Sequence, residues 1–548
     1  MTQLVLGPVL RHVGETDATI WVETDRPCTV EVLGHQERTW TVAGHHYALV
    51  CVQGLTPGTH TAYEVRLDGE TAWPEPGASR PPSRIRTQDP DRVLHVVFGS
   101  CRFARPDAVP PDGRYDADAL DTFAKRMADQ PDDLWPDALL LLGDQVYADE
   151  TSAATRERIR RRRDVREPPY EEVKDFEEYT WLYEESWSDP DVRWLLSTVP
   201  SAMIFDDHDI ADDWNTSADW RRDMQQTSWW EQRVVGGLSS YWVYQHLGNL
   251  SPEALAASEL YQQVRASDGD CAAMLREFAV AADREADGRK GAQWSFRRDL
   301  GGVRLLVIDS RCGRVLESGD RSMVSEAEFR WIEEQVAGSY RHLLVGTSLP
   351  WLLARALHDV EAWNEQLADG VKGDRMARWA EWFRRAVDLE HWAAFRRSFD
   401  RLAELFACVG RGEHAGSGGR PPATVCVLSG DVHHAYVAQA HYPDPAVRSR
   451  VYQLTCSPVH NYVPRAMQAA FRLGWSRAAE RVVRFALERV STVPPQALSW
   501  SRLAGPYYGN EIATLTLDGD SARLVIERAR RDESGAARLA PVVNLPLS

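Results

Sequence analysis

The chain has 548 residues, 43% hydrophobic and 26% charged, and 81 acidic residues against 63 basic ones give a formal charge of −18. That length supplies core material for more than one domain, and that composition excludes disordered and fibrous chains. The acidic balance argues against a general binder of nucleic acid or of anionic membranes, because polyanions are repelled at long range. The sequence has no apolar run of about 18 residues, so no transmembrane segment is expected. The opening MTQLVLGPVLRHVGETDATIWVE lacks the basic, apolar and small-residue zones of a signal peptide. Eight cysteines without a CxxC pair do not make a disulfide framework, and the expected setting is the reducing cytoplasm.

Residues 1–72 read as short strands: ATIWVET (18–24), CTVEVL (28–33), RTWTVA (38–43), HYALVCV (46–52) and TAYEVRLDG (61–69). Gly, Asp and Pro punctuate these runs, and a small β-sandwich is expected. The stretch from Leu55 to Tyr63 resembles the fibronectin-III segment in which a Tyr folds back on its own corner. Residues 73–90, with Pro74, Pro76, Pro81 and Pro82, read as a stiff linker.

From residue 91 to 548 the pattern is that of an α/β domain. Apolar runs of strand length each end in a polar cluster: LHVVFGSC (94–101), DALLLLGDQVY (137–147), SAMIFDDHD (201–209), VRLLVIDSR (303–311), HLLVGTSLP (342–350), TVCVLSGDVHH (424–434) and VYQLTCSP (451–458). Near-continuous apolar runs imply strands covered on both faces. Helix-rich segments lie between them, at 115–130, 152–198, 218–290, 324–340, 362–408 and 465–490, and 506–528 reads as a closing hairpin.

In such a sheet ligands gather beyond the carboxyl ends of the strands. Those ends carry Cys101, Asp144 with Tyr147, the run Asp206-Asp207-His208-Asp209, Asp309, and Asp431 with His433 and His434. Carboxylates packed together repel one another unless a cation neutralises them, so the pattern points to a metal site.

GDQVY, DDHDI and SGDVHHA resemble the GDxxY, DDHE and GDxHxA signatures of the alkaline phosphatase D family of calcineurin-like metallophosphoesterases. The likeness covers about residues 90–530, and FGSC and NEIATLTLDG also resemble that family. It implies a sandwich of two mixed sheets flanked by helices, preceded by a β-sandwich. It implies that Asp144 bridges two cations, with Tyr147, Cys101 and His433 on the first and Asp207 and Asp431 on the second. A phenolate ligand favours a trivalent metal, and an all-oxygen second site favours calcium, magnesium or manganese over zinc. The family's centre is iron and calcium, so Fe3+ with Ca2+ is expected, with Mn2+, Mg2+ or Zn2+ as alternatives. His208 matches the histidine that protonates the leaving group, and Asp209 or Asp206 is expected to hold its imidazole. Arg311 or Arg102 reads either as a phosphate clamp or as a salt bridge to Asp309.

Two basic stretches have plainer readings beside functional ones. The arginines of 156–163 resemble a nucleic-acid or localisation patch, but the glutamates after them favour a solvated helix with intrahelical pairing. Residues 465–490 form a basic amphipathic helix that either covers the catalytic domain or lies on a membrane surface. The expected activity is metal-dependent hydrolysis of small phosphate esters by a metal-bound hydroxide. Phosphodiesterase or phospholipase-type hydrolysis on the same site, and a non-catalytic metal-binding recognition protein, are the competing readings. The family's usual twin-arginine leader is not visible in this sequence, which favours an intracellular substrate.

Overall fold

The alternation in the N-terminal strands serves two apolar partners rather than one. The computed structural model describes residues 2–90, 92–104, 115–287, 291–317, 319–416, 419–490 and 496–548. Its N-terminal strands are β1 (Leu4–Val13), β2 (Asp17–Thr24), β3 (Thr29–Val32), β4 (His35–Arg38), β5 (Trp40–Val42), β6 (His45–Gln53), β7 (His60–Ala62), β8 (Val65–Leu67), β9 (Glu70–Trp73) and β10 (Arg84–Arg86). They form sheets β1-β2-β6-β5 and β4-β3-β8-β9, while β7 pairs with β10. On β2 and β6, Ala18, Ile20, Val22, Ala48, Val50 and Val52 fill the sandwich core. The alternate residues Trp21, Tyr47 and Leu49 face the other way, into a core shared with the rest of the chain.

This sharing changes two readings of the sequence. Residues 73–90, read as a stiff linker, contain the strand β10, and Trp73 Nε1 donates to Ser83 Oγ at 2.9 Å within them. Tyr63 does not close its own corner. Its hydroxyl donates to the carbonyl of Ser197 at 2.6 Å, on the helix Pro190–Thr198 of the following unit. Arg11 crosses the same boundary fully buried, donating to the carbonyl of Gln245 at 2.6 Å and to Asn249 Oδ1 at 3.2 Å. Burial pulls its guanidinium down to about 9, and these acceptors satisfy its N–H groups inside the boundary.

The larger unit is an α/β sandwich of two mixed sheets. Its strands are β11 (Leu94–Gly99), β12 (Ala138–Leu142), β13 (Ser201–Ile204), β14 (Phe296–Leu300), β15 (Val303–Ile308), β16 (His342–Thr347), β17 (Thr424–Ser429), β18 (Ala435–His441), β19 (Arg450–Thr455), β20 (Ser499–Tyr507), β21 (Glu511–Asp518), β22 (Ser521–Arg531) and β23 (Ala537–Pro546). The sheet orders are β13-β12-β11-β21-β22-β23 and β14-β15-β16-β17-β19-β18-β20. In each sheet the expected apolar runs supply the parallel strands, and antiparallel strands extend the edges. Every residue of β12, β15 and β17 is buried, as their unbroken hydrophobicity requires. The hairpin expected at 506–528 is β21–β22, turning at Gly519.

Helices occupy the expected segments, with two differences. The arginines of helix Ala153–Arg162 pair mainly across to neighbouring segments, as Arg158 does with Glu184 (2.6 Å) and Arg162 with Asp175 (2.9 Å). The stretch 465–490 is two helices, Arg465–Gly474 and Arg477–Val490. Ser476 Oγ accepts the N–H of Ala479 at 3.1 Å and starts the second one.

His45 of β6 ties the two units electrostatically. Its Nδ1 lies 3.0 Å from Glu23 Oε1 and its Nε2 2.8 Å from Glu177 Oε2, on helix Phe176–Trp187. Burial opposes its protonation, but the two carboxylates overcome that and raise its pKa to about 9. A pKa raised above the unfolded value of about 6.5 gives stability that is complete below that pH and is lost as pH climbs through 9. The denaturant midpoint should therefore fall between pH 7 and pH 10 more steeply in the parent than in His45→Gln. Parallel pH profiles would exclude this contact as the cause.

Candidate metal centre

Glycine makes the approach of the strand ends possible at two points. Gly143 after β12 has φ 103°, and a Cβ there would lie 2.5 Å from Asp206 Cβ. A Cβ on Gly430 after β17 would lie 1.8 Å from Ser100 Oγ, so the two sheets meet here at backbone distance. Cys101, Asp144, Asp431 and His433 beside them have φ between 49° and 64°, a region non-glycine residues enter at a cost of about 1–3 kcal/mol each. Hydrogen bonds hold them: Cys101 N–H donates to the carbonyl of Gly143 (3.2 Å), Asp431 N–H to Ser100 Oγ (3.2 Å) and His433 N–H to the carbonyl of Asp431 (2.7 Å).

The fold brings Cys101, Asp144 and His433 together, with one ligand atom from each within 4.8 Å of the others. Asp144, Asp206 and Asp207 form a second such group, so Asp144 is common to both. Its Oδ1 is buried and accepts no hydrogen bond. Tyr147 OH accepts from Asn461 Nδ2 at 2.9 Å, and its ring lies 4.8 Å from that of His208. Burial first, and then the charge of Asp144, push the Cys101 thiol and the Tyr147 phenol well above their ordinary ranges. Burial and the charge of Asp206 do the same to Asp144. Burial takes His433 down to about 4, leaving a neutral imidazole with lone pairs for a metal. Thiol, phenol, carboxylate and neutral imidazole around an unpartnered buried oxygen are a donor set that fits a cation.

The histidine expected to act as acid is held by a residue that sequence reasoning missed. His208 Nδ1 lies 2.9 and 3.0 Å from the two oxygens of Asp149, not against Asp209 or Asp206. Burial disfavours the imidazolium, yet Asp149 and Asp207 outweigh it and raise the His208 pKa well above its usual value. Asp209 has a different task. Its Oδ2 accepts the N–H groups of both Asp144 and Asp206 at 2.9 Å, stapling the two ligand loops together. Asp149 follows Tyr147 by two residues in the same loop, and that proximity was the available signal.

Arg311 is likewise neither an open phosphate clamp nor paired to Asp309. It is fully buried among carboxylates, donating through Nε to Asp206 and lying 2.5 Å from Glu390, 3.3 Å from Asp207 and 3.5 Å from Asp431. Asp309 instead accepts the N–H groups of Arg311, Cys312 and Gly313 at 2.8, 3.0 and 3.0 Å. Arg102 pairs with Asp118 at 2.9 Å. Asp431 stands outside both three-ligand groups, between Arg311 and His391, whose Nε2 is 3.2 Å away and whose Nδ1 is 2.8 Å from Glu361. Glu390 and His391 lie within a segment that reads from sequence only as helix-rich. Nothing in their local pattern marks them.

Two mixed sheets in an α/β sandwich, with acids, imidazoles, a thiol and a phenol converging at the strand ends, define a metallophosphoesterase-type protein. A model of the PhoD-like phosphatases matches residues 114–484, and the chain belongs to that family. It is a phosphoric ester hydrolase. Cys101 precedes the matched span, so its place in the centre rests on the geometry above. Residues 1–85 match a domain of unknown function (DUF7800). A solved structure described as "Structure of PhoD" aligns with a TM-score of 0.57 at 12% identity, covering 99% of this chain and 92% of that one. A purple acid phosphatase from yellow lupin (Lupinus luteus) seeds aligns at 0.48 and 12% identity, over 95% of this chain and 71% of that one. No curated protein matches the chain.

Asp209→Ala leaves the buried N–H groups of Asp144 and Asp206 unpartnered and should cost about 2–4 kcal/mol of stability, with loss of metal. Asp209→Asn keeps an acceptor and should cost about 1 kcal/mol or less. Denaturant midpoints and metal content measure both. Equal damage from the two substitutions would return Asp209 to an ionic role.

Proposed function

We propose that the protein hydrolyses phosphate esters at a centre where Asp144 would serve two cations. Cys101, Tyr147 and His433 would hold the first, and Asp206 and Asp207, with Asp431 behind them, would hold the second. The observation that carries this reading is Asp144, common to both ligand groups and left with an unpartnered buried oxygen. When bound, the cations supply positive charge for the phosphate oxygens and acidify water as the nucleophile. The thiol and phenol have pKa values pushed up by burial, so only a strong Lewis acid ionises both, and Fe3+ fits that place. The second group offers oxygen alone and suits Ca2+, with Mn2+, Mg2+ or Zn2+ as alternatives.

The chain's own residues do the rest. His208 carries a proton held on the ring by Asp149, and among the described residues its Nε2 makes no hydrogen bond, with Asp212 at 3.9 Å, which leaves that nitrogen available to a leaving oxygen. A protonated imidazole there lowers the cost of expelling an alkoxide. Arg311 does not touch the substrate in this scheme. It keeps Asp206, Asp207 and Asp431 apart from one another at fixed positions.

Two measurements test the scheme. Protein purified without added metal should contain iron and show a visible charge-transfer band that shifts in Cys101→Ser and vanishes in Tyr147→Phe. A colourless, iron-free enzyme active with manganese or zinc would remove the iron assignment, while turnover of an aryl phosphate and of its diester separates the two ester classes. His208→Ala should retain metal and lose about 10²–10⁴ in turnover of alkyl phosphates, with a smaller loss on activated aryl esters. Asp149→Asn should show the same leaving-group dependence to a smaller degree. A uniform loss across leaving groups would mean that His208 only positions substrate.

A further inference from the structure

Exposed apolar side chains are concentrated in one part of the fold. Nine of the fourteen large ones among the described residues fall in 371–387 or 467–485. These segments contain the helices Asp374–Ala386 and Arg477–Val490, which both pack on the helix Arg355–Ala368. Asn364 Nδ2 donates to the carbonyl of Ala380 at 2.9 Å on one side, and Asp359 faces Arg484 at 3.7 Å on the other. The three helices thus form one cap.

The cap's outer residues combine two chemistries. Trp382 is 64% exposed, Leu473 64%, Val482 69% and Phe485 59%. Arg375, Arg378, Trp379 and Trp382 fall at i, i+3, i+4 and i+7 of one helix, so cations and indoles share a face. On the other helix Arg477 and Arg481 are exposed next to Val482 and make no ion pair among the described residues. Most arginines elsewhere on this acidic chain are paired, as those of helix Ala153–Arg162 are. Residues 465–490 carry six arginines against two glutamates. Residues beside the cap reach the candidate site, one after the helix Asp374–Ala386 and others at the end of a fourth helix, Arg465–Gly474. His391 follows the first helix closely and contacts Asp431, while Phe471 stacks on His434 at 4.8 Å and Trp475 Nε1 donates to its Nε2 at 3.2 Å.

We propose that this cap is a docking surface for an anionic phospholipid bilayer. Unpaired guanidinium groups meet acidic headgroups, while Trp382, Val482, Phe485 and Leu473 enter the boundary between headgroups and acyl chains. A lone hydrophobic patch would suit a protein partner equally, but apolar and unpaired cationic side chains alternating on two exposed helices match the layered chemistry of an acidic lipid surface. The overall charge of −18 does not prevent this, because charges beyond the Debye length of about 8 Å are screened. No helix of the described residues is long and apolar enough to cross a membrane. The cap rests on the surface.

Vesicle flotation of the full chain tests this independently of the proposed chemistry. The protein should float with phosphatidylcholine vesicles containing about 30 mol% phosphatidylserine, weakly with phosphatidylcholine alone, and less at about 0.5 M salt. Trp382→Ser with Phe485→Ser, and separately Arg477→Glu with Arg481→Glu, should each reduce flotation by about tenfold. Thermal unfolding and aryl phosphate turnover should match the parent, showing that the fold is intact. A folded parent that does not float with anionic vesicles overturns the proposal, as do variants that float like the parent. A parent dimer that the same substitutions dissociate also overturns it, by making the occupant a second copy of this chain.

Discussion

Carboxylates gathered in a buried cleft repel one another, and the architecture of the larger unit follows from how that repulsion is answered. Three answers are built into the chain. Backbone N–H groups satisfy Asp209 and Asp309. Protein cations satisfy others, with Arg311 among Asp206, Asp207, Glu390 and Asp431, His208 against Asp149, and His391 between Glu361 and Asp431. Asp144 Oδ1 and Asp206 Oδ2 receive neither. Asp144 thus carries an unanswered charge at the point where thiol, phenol and neutral imidazole also converge.

Such an arrangement needs strand ends from both sheets and support from behind. Arg311 comes from the end of β15, Asp206 from beyond β13 and Asp431 from beyond β17, so no single sheet could assemble the cluster. Support arrives from the N-terminal unit. Arg11 donates to the carbonyl of Gln245, in the π-helical turn Trp242–His246, and Gln245 Nε2 reaches Tyr183 at 3.0 Å and Asp209 Oδ1 at 3.5 Å. Asp209 in turn staples the loops of Asp144 and Asp206. The sandwich contributes no ligand, yet its buried guanidinium stands two contacts from the residue that sets the ligand loops. A shared apolar core with Trp21 and Tyr47 makes that support rigid rather than incidental.

Legibility in the sequence tracked the range of the physical signal. Parallel strands buried on both faces leave unbroken apolar runs, and β11, β12, β15, β16, β17 and β19 were readable for that reason. The acidic strand ends were readable because their position along each run is local. The edge strand β14, with the sequence FRRDL and alternating exposure, left no such run. Asn461, Glu390 and His391 act through partners between 30 and more than 300 residues away, and nothing in their immediate neighbours encodes those partners. The role of Arg311 depended on which carboxylates surround it in three dimensions. Tyr63 and β10 were misassigned for the same reason, since both are explained by contacts outside the sandwich or across its loops.

Backbone strain gives an independent bearing on where function resides. Among the described residues eleven non-glycine positions have positive φ, and four of them, Cys101, Asp144, Asp431 and His433, belong to the site, while Asp213 donates its N–H to Asp207 at 3.2 Å beside it. In a turn remote from chemistry such conformations go to glycine or asparagine, because a Cβ there crowds the following carbonyl. Here the side chain cannot be given up, since it is a thiol, a carboxylate or an imidazole. Folding therefore accepts the strain and offsets it with backbone N–H groups donating to Ser100, Gly143 and Asp209, which hold each loop. Loops held in this way bring the donor atoms together before anything binds. That pre-organisation, more than any single residue, separates this cleft from the ion-paired acidic surfaces elsewhere on the chain, where Asp164 and Asp532 are met by flexible arginines in open solvent.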